Sequence, residues 1–345
     1  MNDMMKKLFS FLFPLSTFLF PLSTFLFPVG ASAQEFELVW SDEFDNNTVG
    51  TNWTVWNGYP SNNELQYYTT SGNVEVKDGC LVLTARRENS GSRKFTSGRV
   101  VSSQKVSFTH GLIEARIKMP KTAQGLWPAF WMMGEDVWTY SWPYCGETDI
   151  VEVGSRTGFG GYEDKYISSA IHYGENVSQH AQEVRGYFAP YSIEDDFHIF
   201  SCKWTTDSMA FYLDRNPKPY FRVYIGERAK WNKFFHKSNF MLLNVAVGGD
   251  YTGIYNTDNI TALPEAGAEG KMYVDWVRIY QTENNITFGE NDKDKVSETE
   301  YIRHLTTADE PKEDRWFALD GRRLAGQPVR SGLYINRGRK MVCRY

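Results

Sequence analysis

The feature that most constrains this chain is a succession of short runs in which apolar and polar residues alternate. Residues 112–119 read LIEARIKM and residues 209–214 read MAFYLD, so every second side chain in each run is apolar. A period of two residues is typical of strands with one buried face. Turn pairs such as Asp78-Gly79 and Asn216-Pro217 separate such runs, and no long stretch shows a helical period. Residues 34–283 are therefore expected to form an all-β domain, a β-sandwich of the jelly-roll type.

The N-terminus has the composition of a secretory signal peptide. Lys6 and Lys7 precede an apolar run from Leu8 to Val29, and the small residues Ala31-Ser32-Ala33 follow it. We expect cleavage after residue 33 and export to the periplasm, the cell surface or the medium. A retained anchor is the alternative, but the repeated prolines in the run disfavour a membrane helix. No transmembrane anchor is expected after cleavage.

Beyond the β-rich region the composition changes twice. Residues 284–314 are polar and rich in acids, which indicates a linker. Residues 315–345 are basic and contain short strand-like runs, too short for a large core. They resemble the C-terminal tails of secreted proteins, some of which are sorting signals. The four cysteines of an exported chain could pair in three ways, and the sequence selects none of them. These cysteines are Cys80, Cys145, Cys202 and Cys343.

Aromatic residues are unusually frequent, with 11 Trp, 20 Tyr and 23 Phe among 345 residues. Aromatic side chains favour strands, and their ring faces also stack on sugars and nucleobases. The formal net charge of −5, without a basic block, argues against nucleic acid as the main partner. The aromatic excess is therefore expected to serve the strand core, a sugar-binding surface, or both.

Three acids lie within six residues of one strand-like segment, ETDIVE at residues 147–152. In a regular strand Glu147 and Asp149 would face one side and Glu152 the other, where it would be buried in the core at high cost. A β-bulge near Ile150 and Val151 would return Glu152 to the side of the other two acids. Three carboxylates on one face repel each other and separate their pKa values, as glycoside hydrolysis requires. A solvated acidic edge or a Ca²⁺ site are the alternatives.

Tryptophans crowd the approach to this acidic segment. Residues 125–133 read GLWPAFWMM, and Trp138 and Trp142 follow. Sugar rings present apolar C–H faces that stack on such aromatic platforms. Trp40, Trp53, Trp204 and Trp276 lie in strand contexts instead, where we expect core packing.

With these motifs the chain resembles glycoside hydrolase family 16, in its laminarinase-type branch with a bulged ExDxxE signature. Further motifs occur in the family's order across residues 36–281: WSDEFD at 40–45, NNELQYY at 62–68, TSGRV at 96–100, GLWPAFWMM at 125–133, WPYCG at 142–146, AIHY at 170–173 and VDWVRIYQ at 274–281. The resemblance implies a concanavalin-like jelly roll with a curved sheet that carries the cleft. One departure is Thr148, where the family commonly has an apolar residue.

The resemblance also implies roles for individual residues. Glu147 matches the family's nucleophile, Glu152 its general acid/base, and Asp149 the auxiliary acid that tunes the nucleophile. The positions that match substrate contacts are Asn63, Arg99, Trp127, Trp131, Trp142 and His172. The positions that match a structural calcium site are Asp275 and, as further partners, Glu43 and the Gly79 backbone. No cofactor is expected to be required.

We therefore expect a secreted, monomeric, retaining endo-β-glucanase that cuts β-1,3-glucan such as laminarin, or mixed-linkage β-1,3/1,4-glucan. A hydrolase of a marine galactan (agar, porphyran or carrageenan) is the first alternative. Sulfated galactans favour a basic cleft, and the motifs supply few cations besides Arg99. A glucan-binding lectin is the second alternative, which the presence of all three acids disfavours.

Overall fold

The computed structural model describes residues 36–122, 124–154, 163–226 and 233–288, and the backbone of residues 316–318, 332–336 and 339–343. The expected signal peptide lies outside the described residues, as does all of the expected linker beyond residue 288. Within the described ranges, no helix is both long and apolar enough to cross a membrane.

Strands dominate the described residues, as the alternation predicts. They are β1 (Glu37–Asp42), β2 (Thr54–Val55), β3 (Gln66–Tyr68), β4 (Val74–Lys77), β5 (Cys80–Arg86), β6 (Phe95–Ser97), β7 (Arg99–Val101), β8 (Val106–Phe108), β9 (Gly111–Lys118), β10 (Leu126–Gly134), β11 (Glu147–Val153), β12 (Tyr166–Tyr173), β13 (Ala181–Phe188), β14 (His198–Trp204), β15 (Ser208–Leu213), β16 (Phe221–Tyr224), β17 (Asn239–Val247), β18 (Glu269–Gln281), β19 (Thr287–Phe288), β20 (Trp316–Ala318), β21 (Gly332–Asn336) and β22 (Arg339–Cys343). A short helix, α1 (Val137–Tyr140), and 3₁₀ turns at Glu163–Lys165, Val177–Gln179 and Thr257–Asn259 interrupt them, and residues 233–235 are also helical.

Two large sheets form the jelly roll. The first has the order β16-β15-β14-β9-β18-β5-β6-β3, with β1 paired to β18 and β4 to β5. The second has the order β13-β12-β11-β10-β17-β7-β2, with β8 between β17 and β19. Neighbouring strands are antiparallel except for β3 and β6, which run parallel. In the expected tail, β20, β21 and β22 form a separate antiparallel sheet.

The main hydrophobic core takes the apolar side of strands from both sheets. Ile113, Ala115 and Ile117 of β9 are fully buried there, as the alternation predicts, and Phe211 of β15 joins them. Burying side chains of this kind contributes about 1.5–3 kcal/mol each, which makes this core the main source of stability.

Three of the four tryptophans expected in the core lie there: Trp40, Trp53 and Trp204. Trp276 is also buried, but outside that core cluster. The guanidinium of Arg278 lies 4.1 Å from its ring centroid and that of Arg215 lies 5.7 Å away. Trp276 is thus buried as expected, against these two guanidinium groups and not within the main core cluster.

Two of the cysteines are free thiols within the described residues. These are Cys145 and Cys202, and both are buried. Burial raises the pKa of the Cys145 thiol to about 12. These thiols therefore behave as small apolar core groups.

Candidate active site

The acidic strand β11 carries the predicted bulge. Asp149 pairs with Ala170 of β12, and Glu152 pairs with Ser168, so Ile150 and Val151 together oppose the single residue Ser169. The register with β10 shifts at the same place. Ser169 Oγ donates a 2.7 Å hydrogen bond to the Ile150 carbonyl, which supports the extra residue. The bulge is confirmed.

Because of the bulge, all three carboxylates share the side of the second sheet that faces away from the main core, here called the open face. Trp127, Ala129 and Trp131 of β10, and His172 of β12, lie on the same face by register. Thr148, Ile150 and Val153 are fully buried on the other side, as expected. The hydroxyl of Thr148 lies 3.6 Å from the Met209 sulfur, so the core accommodates a polar residue where the family commonly has an apolar one.

Two glycines bracket β11 and hold it in place. Gly146 has φ +72°, and a Cβ there would lie 2.3 Å from the Phe234 carbonyl oxygen. Gly154 has φ +100°, and a Cβ there would lie 1.9 Å from the Leu126 carbonyl oxygen. No other residue fits either position without displacing backbone, so the acidic strand is fixed at both ends.

Indole and imidazole groups approach the carboxylates. Trp127 Nε1 donates a 3.0 Å hydrogen bond to Glu152 Oε1, and the side chain of Trp142 lowers the pKa of Glu147. His172 Nε2 lies 3.2 Å from Asp149 Oδ2 and 4.0 Å from Glu147 Oε1. The 3.2 Å contact is poorly aligned, and Asp149 Oδ2 is buried without a hydrogen bond. Catalytic contacts of this kind often tighten only when substrate is bound.

Burial raises the pKa of each of the three carboxyl groups above its ordinary value. The charge of Asp149 raises the pKa of both glutamates further, while His172 and the indole hydrogen bonds lower it. A group of three close acids in a dry setting does not ionise fully near neutral pH. The site can therefore hold a protonated acid beside an ionised one.

The tryptophans split into distinct settings on this face. The Trp127 ring stacks on Tyr251 with centroids 5.0 Å apart, and the Tyr251 hydroxyl lies 2.8 Å from Ser168 Oγ. The Trp142 ring centroid lies 6.3 Å from that of His172. The aromatic groups therefore flank the acids on both sides, at the Glu152 end and at the Glu147 end.

Trp131 belongs to a second, smaller apolar cluster on the open face that the sequence analysis missed. Its buried members are Val101, Phe240 and Leu242, and Trp56, Trp131, Met133 and Val137 pack against them. Trp131 Nε1 donates a 2.8 Å hydrogen bond to Asn244 Oδ1. All nine residues of β17 are buried, so that strand lacks the alternation that would have revealed an outward apolar face.

Arg99 of β7 lies beside this cluster. Its guanidinium carbon is 4.3 Å from the Tyr68 ring centroid and 5.6 Å from that of Trp131. The Tyr68 hydroxyl in turn donates a 3.1 Å hydrogen bond to the buried Glu64. Arg99 Nη2 donates a 3.2 Å hydrogen bond to the Tyr68 hydroxyl, and Arg99 Nε is buried without a hydrogen-bond partner.

Asn63 lies in the loop before β3 and not on the strands of the open face. Its side-chain amide donates a 2.9 Å hydrogen bond to Asp250 Oδ1, which also accepts from the Tyr255 hydroxyl. A pocket of about 640 Å³ lies beside it, lined by Pro60, Ser61, Asn62, Asn63, Glu64, Arg93 and Tyr255. A substrate contact of Asn63 stays a prediction.

The residues predicted for calcium already have cationic partners. Asp275 Oδ2 accepts a 2.8 Å hydrogen bond from Arg116, and both oxygens of Glu43 accept from Arg278. These side chains fit Ca²⁺ poorly, since the ion would compete with two guanidinium groups. Gly79 lies in the turn between β4 and β5, and calcium binding stays a prediction.

Across the described residues, one group of metal-ligand type converges, with ligand atoms within 4.8 Å of one another: Glu147, Asp149 and His172. The same three side chains lie on the open face, between the aromatic rings that flank the acids. The arrangement suits proton transfer and nucleophilic attack on a sugar bound across the rings.

Residues 36–282 match the family model described as "Beta-porphyranase A-D, GH16 domain". Among solved structures, a family 16 enzyme of the Bacteroides ovatus mixed-linkage glucan locus, bound to a G4G4G3G product, superposes with a TM-score of 0.64. It is 37% identical, and the match covers 70% of this chain and all of that one.

Curated relatives agree. The chain is 32% identical over 264 residues to a β-glucanase of Rhodothermus marinus, a match covering 72% of this chain and 86% of that protein. It is 33% identical over 252 residues to the clotting factor G alpha subunit of Tachypleus tridentatus, covering 72% of this chain. The chain spans only 34% of the length of that subunit. With the bulged acidic strand and the match over residues 36–282, the chain belongs to glycoside hydrolase family 16.

Proposed function

We propose that this protein is an exported, retaining endo-β-glucanase that hydrolyses β-1,3-glucan or mixed-linkage β-1,3/1,4-glucan. The observation that carries the proposal is the bulge in β11, which places Glu147, Asp149 and Glu152 on one aromatic-lined face. The β-glucanase named among the relatives and the product-bound mixed-linkage enzyme support the substrate class. Export rests on the signal-peptide composition of residues 1–33.

In the proposed reaction Glu147 attacks the anomeric carbon while Glu152 donates its proton to the departing glycosidic oxygen. The C–O bond to the leaving chain breaks as the bond to the Glu147 carboxylate forms. Glu152, now ionised, removes a proton from water, which attacks the glycosyl-enzyme and releases Glu147. No cofactor takes part in these steps.

The surrounding groups fit these roles. Burial of Glu152 favours its protonated form, as a general acid requires. Burial also raises the pKa of Glu147, and His172 and Trp142 partly offset that rise, in the direction that a nucleophile requires. Trp127 and Trp131 offer ring faces for the sugars on either side of the cleaved bond.

Hydrolysis of a polymer panel tests the substrate class. We expect reducing-sugar release from laminarin, barley mixed-linkage glucan and lichenan, and none from agarose or carrageenan. Activity on none of the glucans would refute the proposal. Following the anomeric configuration of the first product by NMR tests retention.

Substitution of the two glutamates tests the roles. Glu147→Ala and Glu152→Ala should each lower kcat by roughly 10³-fold or more. Added azide should then yield a glycosyl azide of inverted configuration with the first variant and of retained configuration with the second. Thr148→Val, on the same strand but facing the core, is the matched control and should keep near wild-type kcat. The opposite azide products would exchange the two roles.

A second candidate, a porphyran hydrolase, is favoured by the description of the matching family model. A sulfate ester on such a substrate would find a cation in Arg99, whose guanidinium carbon lies 5.6 Å from the Trp131 ring centroid. Including porphyran in the polymer panel separates the candidates. Preference for porphyran, lost in Arg99→Met, would replace the glucan assignment.

A further inference from the structure

His180 lies behind the catalytic group, and the sequence motifs gave no sign of it. His172 Nδ1 and His180 Nε2 are 2.9 Å apart. The two ring centroids are 5.2 Å apart and the ring planes differ by only 13°. Rings stacked face to face would be closer, so these values describe two nearly coplanar imidazoles joined edge to edge by a hydrogen bond. The opposite edge of His172 faces Asp149 and Glu147.

The local backbone fixes His180 in this position. It follows the 3₁₀ turn Val177–Gln179 in the hairpin that joins β12 to β13. Gly174 permits the close approach, since a Cβ there would lie 2.5 Å from the Gln179 carbonyl oxygen and 3.1 Å from His180 Cα. The indole of Trp142 packs against His180 with ring centroids 4.7 Å apart. His180 therefore touches both His172 and Trp142, the two groups that approach Glu147.

The contacts of the two imidazoles indicate where the protons lie. An ionised carboxylate only accepts, so a hydrogen bond from His172 to Asp149 or Glu147 needs a proton on Nε2, the nitrogen that faces them. In neutral His172 the other nitrogen, Nδ1, is then an acceptor, and His180 Nε2 must donate to it. The partner of one ring nitrogen thus sets the tautomer of the whole ring. Without His180, no other group among the described residues hydrogen-bonds to His172 Nδ1, and the ring could rotate or adopt its other tautomer.

We propose that His180 is a positioning residue that fixes the orientation and tautomer of His172, so that Nε2–H points at Asp149 and Glu147. Its kinetic consequence rests on the proposed glucan hydrolysis. The hydrogen bond itself is independent of any substrate. The expected gain is in kcat and not in KM, because His180 acts through groups at the reacting centre.

Two variants separate the hydrogen bond from the ring packing. His180→Gln places an amide nitrogen where the imidazole Nε2 lies and keeps the donor without the ring. His180→Phe keeps a ring against Trp142 without the donor. We expect kcat on a mixed-linkage glucan to fall about tenfold in H180F, with KM little changed. H180Q should stay within about threefold of wild type. Gln179→Ala, an exposed change in the same turn, is the matched control.

Nitrogen-15 NMR of the histidine side chains reads the tautomer directly. The chain has only six histidines, which keeps the spectrum assignable. We expect His172 in the Nε2–H form in wild type and H180Q, and a mixture of forms in H180F. His180→Ala replaces H180F if the larger ring lowers the Tm. An unchanged His172 tautomer or an unchanged kcat in the variant without the donor would overturn the proposal. If wild type cleaves no polymer, the proposed function fails, and the tautomer comparison still decides whether His180 positions His172.

Discussion

Trp127→Phe should move the pH dependence of hydrolysis in a direction that the structure fixes. The indole of Trp127 donates a 3.0 Å hydrogen bond to Glu152 Oε1, and this bond lowers the pKa of that carboxyl group against the raising effect of burial. A hydrogen bond to a charged group contributes about 1.5–3 kcal/mol, and one pKa unit corresponds to about 1.4 kcal/mol. Trp127 is half-buried, so we take the low end. Its loss should raise the pKa of Glu152 by about one unit.

The sign follows from the role proposed for Glu152. A general acid works while protonated, so activity falls as the pH rises through its pKa. Raising that pKa moves the alkaline limb of kcat/KM upward by about one pH unit. Reducing-sugar release from a glucan, measured across overlapping buffers, gives the limb. Trp131→Phe makes the same chemical change where the indole bonds Asn244 instead of an acid, and its limb should not move. An alkaline limb that stays in place or moves down in the Trp127 variant would refute the reasoning.

Three further predictions concern the bulge, calcium and the core. Deleting Ile150 removes the extra residue and leaves Glu147, Asp149 and Glu152 in regular alternation on the open face, so we expect a folded variant with native-like circular dichroism; an unfolded deletion variant would contradict the register argument. Because Arg116 and Arg278 neutralise Asp275 and Glu43, a chelator should change the Tm by less than about 2 °C. A larger fall in Tm would indicate that a bound calcium ion stabilises the fold. Trp204→Phe loses a 2.9 Å hydrogen bond to the Phe235 carbonyl in the core, and urea unfolding should show a loss of about 2–3 kcal/mol. The exposed Trp138→Phe is its control and should stay within about 0.5 kcal/mol, so equal losses would count against the burial argument.

Regular alternation made the fold and the acidic group predictable. Strands β9 and β15 bury the residues that their period of two selects, and GLWPAFWMM pairs along the acidic strand as its proximity in sequence suggested. Other features of the site have no such period. His180 and Tyr251 lie at the ends of loops, whose paths depend on turns and on close backbone approaches such as that at Gly174. The sequence pattern therefore predicted the three acids of the candidate site and missed His180 and Tyr251, which contact the site from loops.

Two of the register shifts in this domain show why one was predictable and the other was not. In β11 the unbulged register would bury Glu152 in the core, so the cost of a charge there reveals the extra residue. In β18 the register against β9 shifts between Val274 and Trp276. Val274, Val277 and Ile279 are core residues, and Trp276 turns outward under Arg278. A tryptophan is acceptable on either face, so no penalty marks the shift in the sequence. A bulge among apolar residues therefore leaves no mark in the sequence, whereas a charged residue that would otherwise be buried reveals one. Irregular backbone is thus easiest to predict where charged residues cluster, as they do on β11.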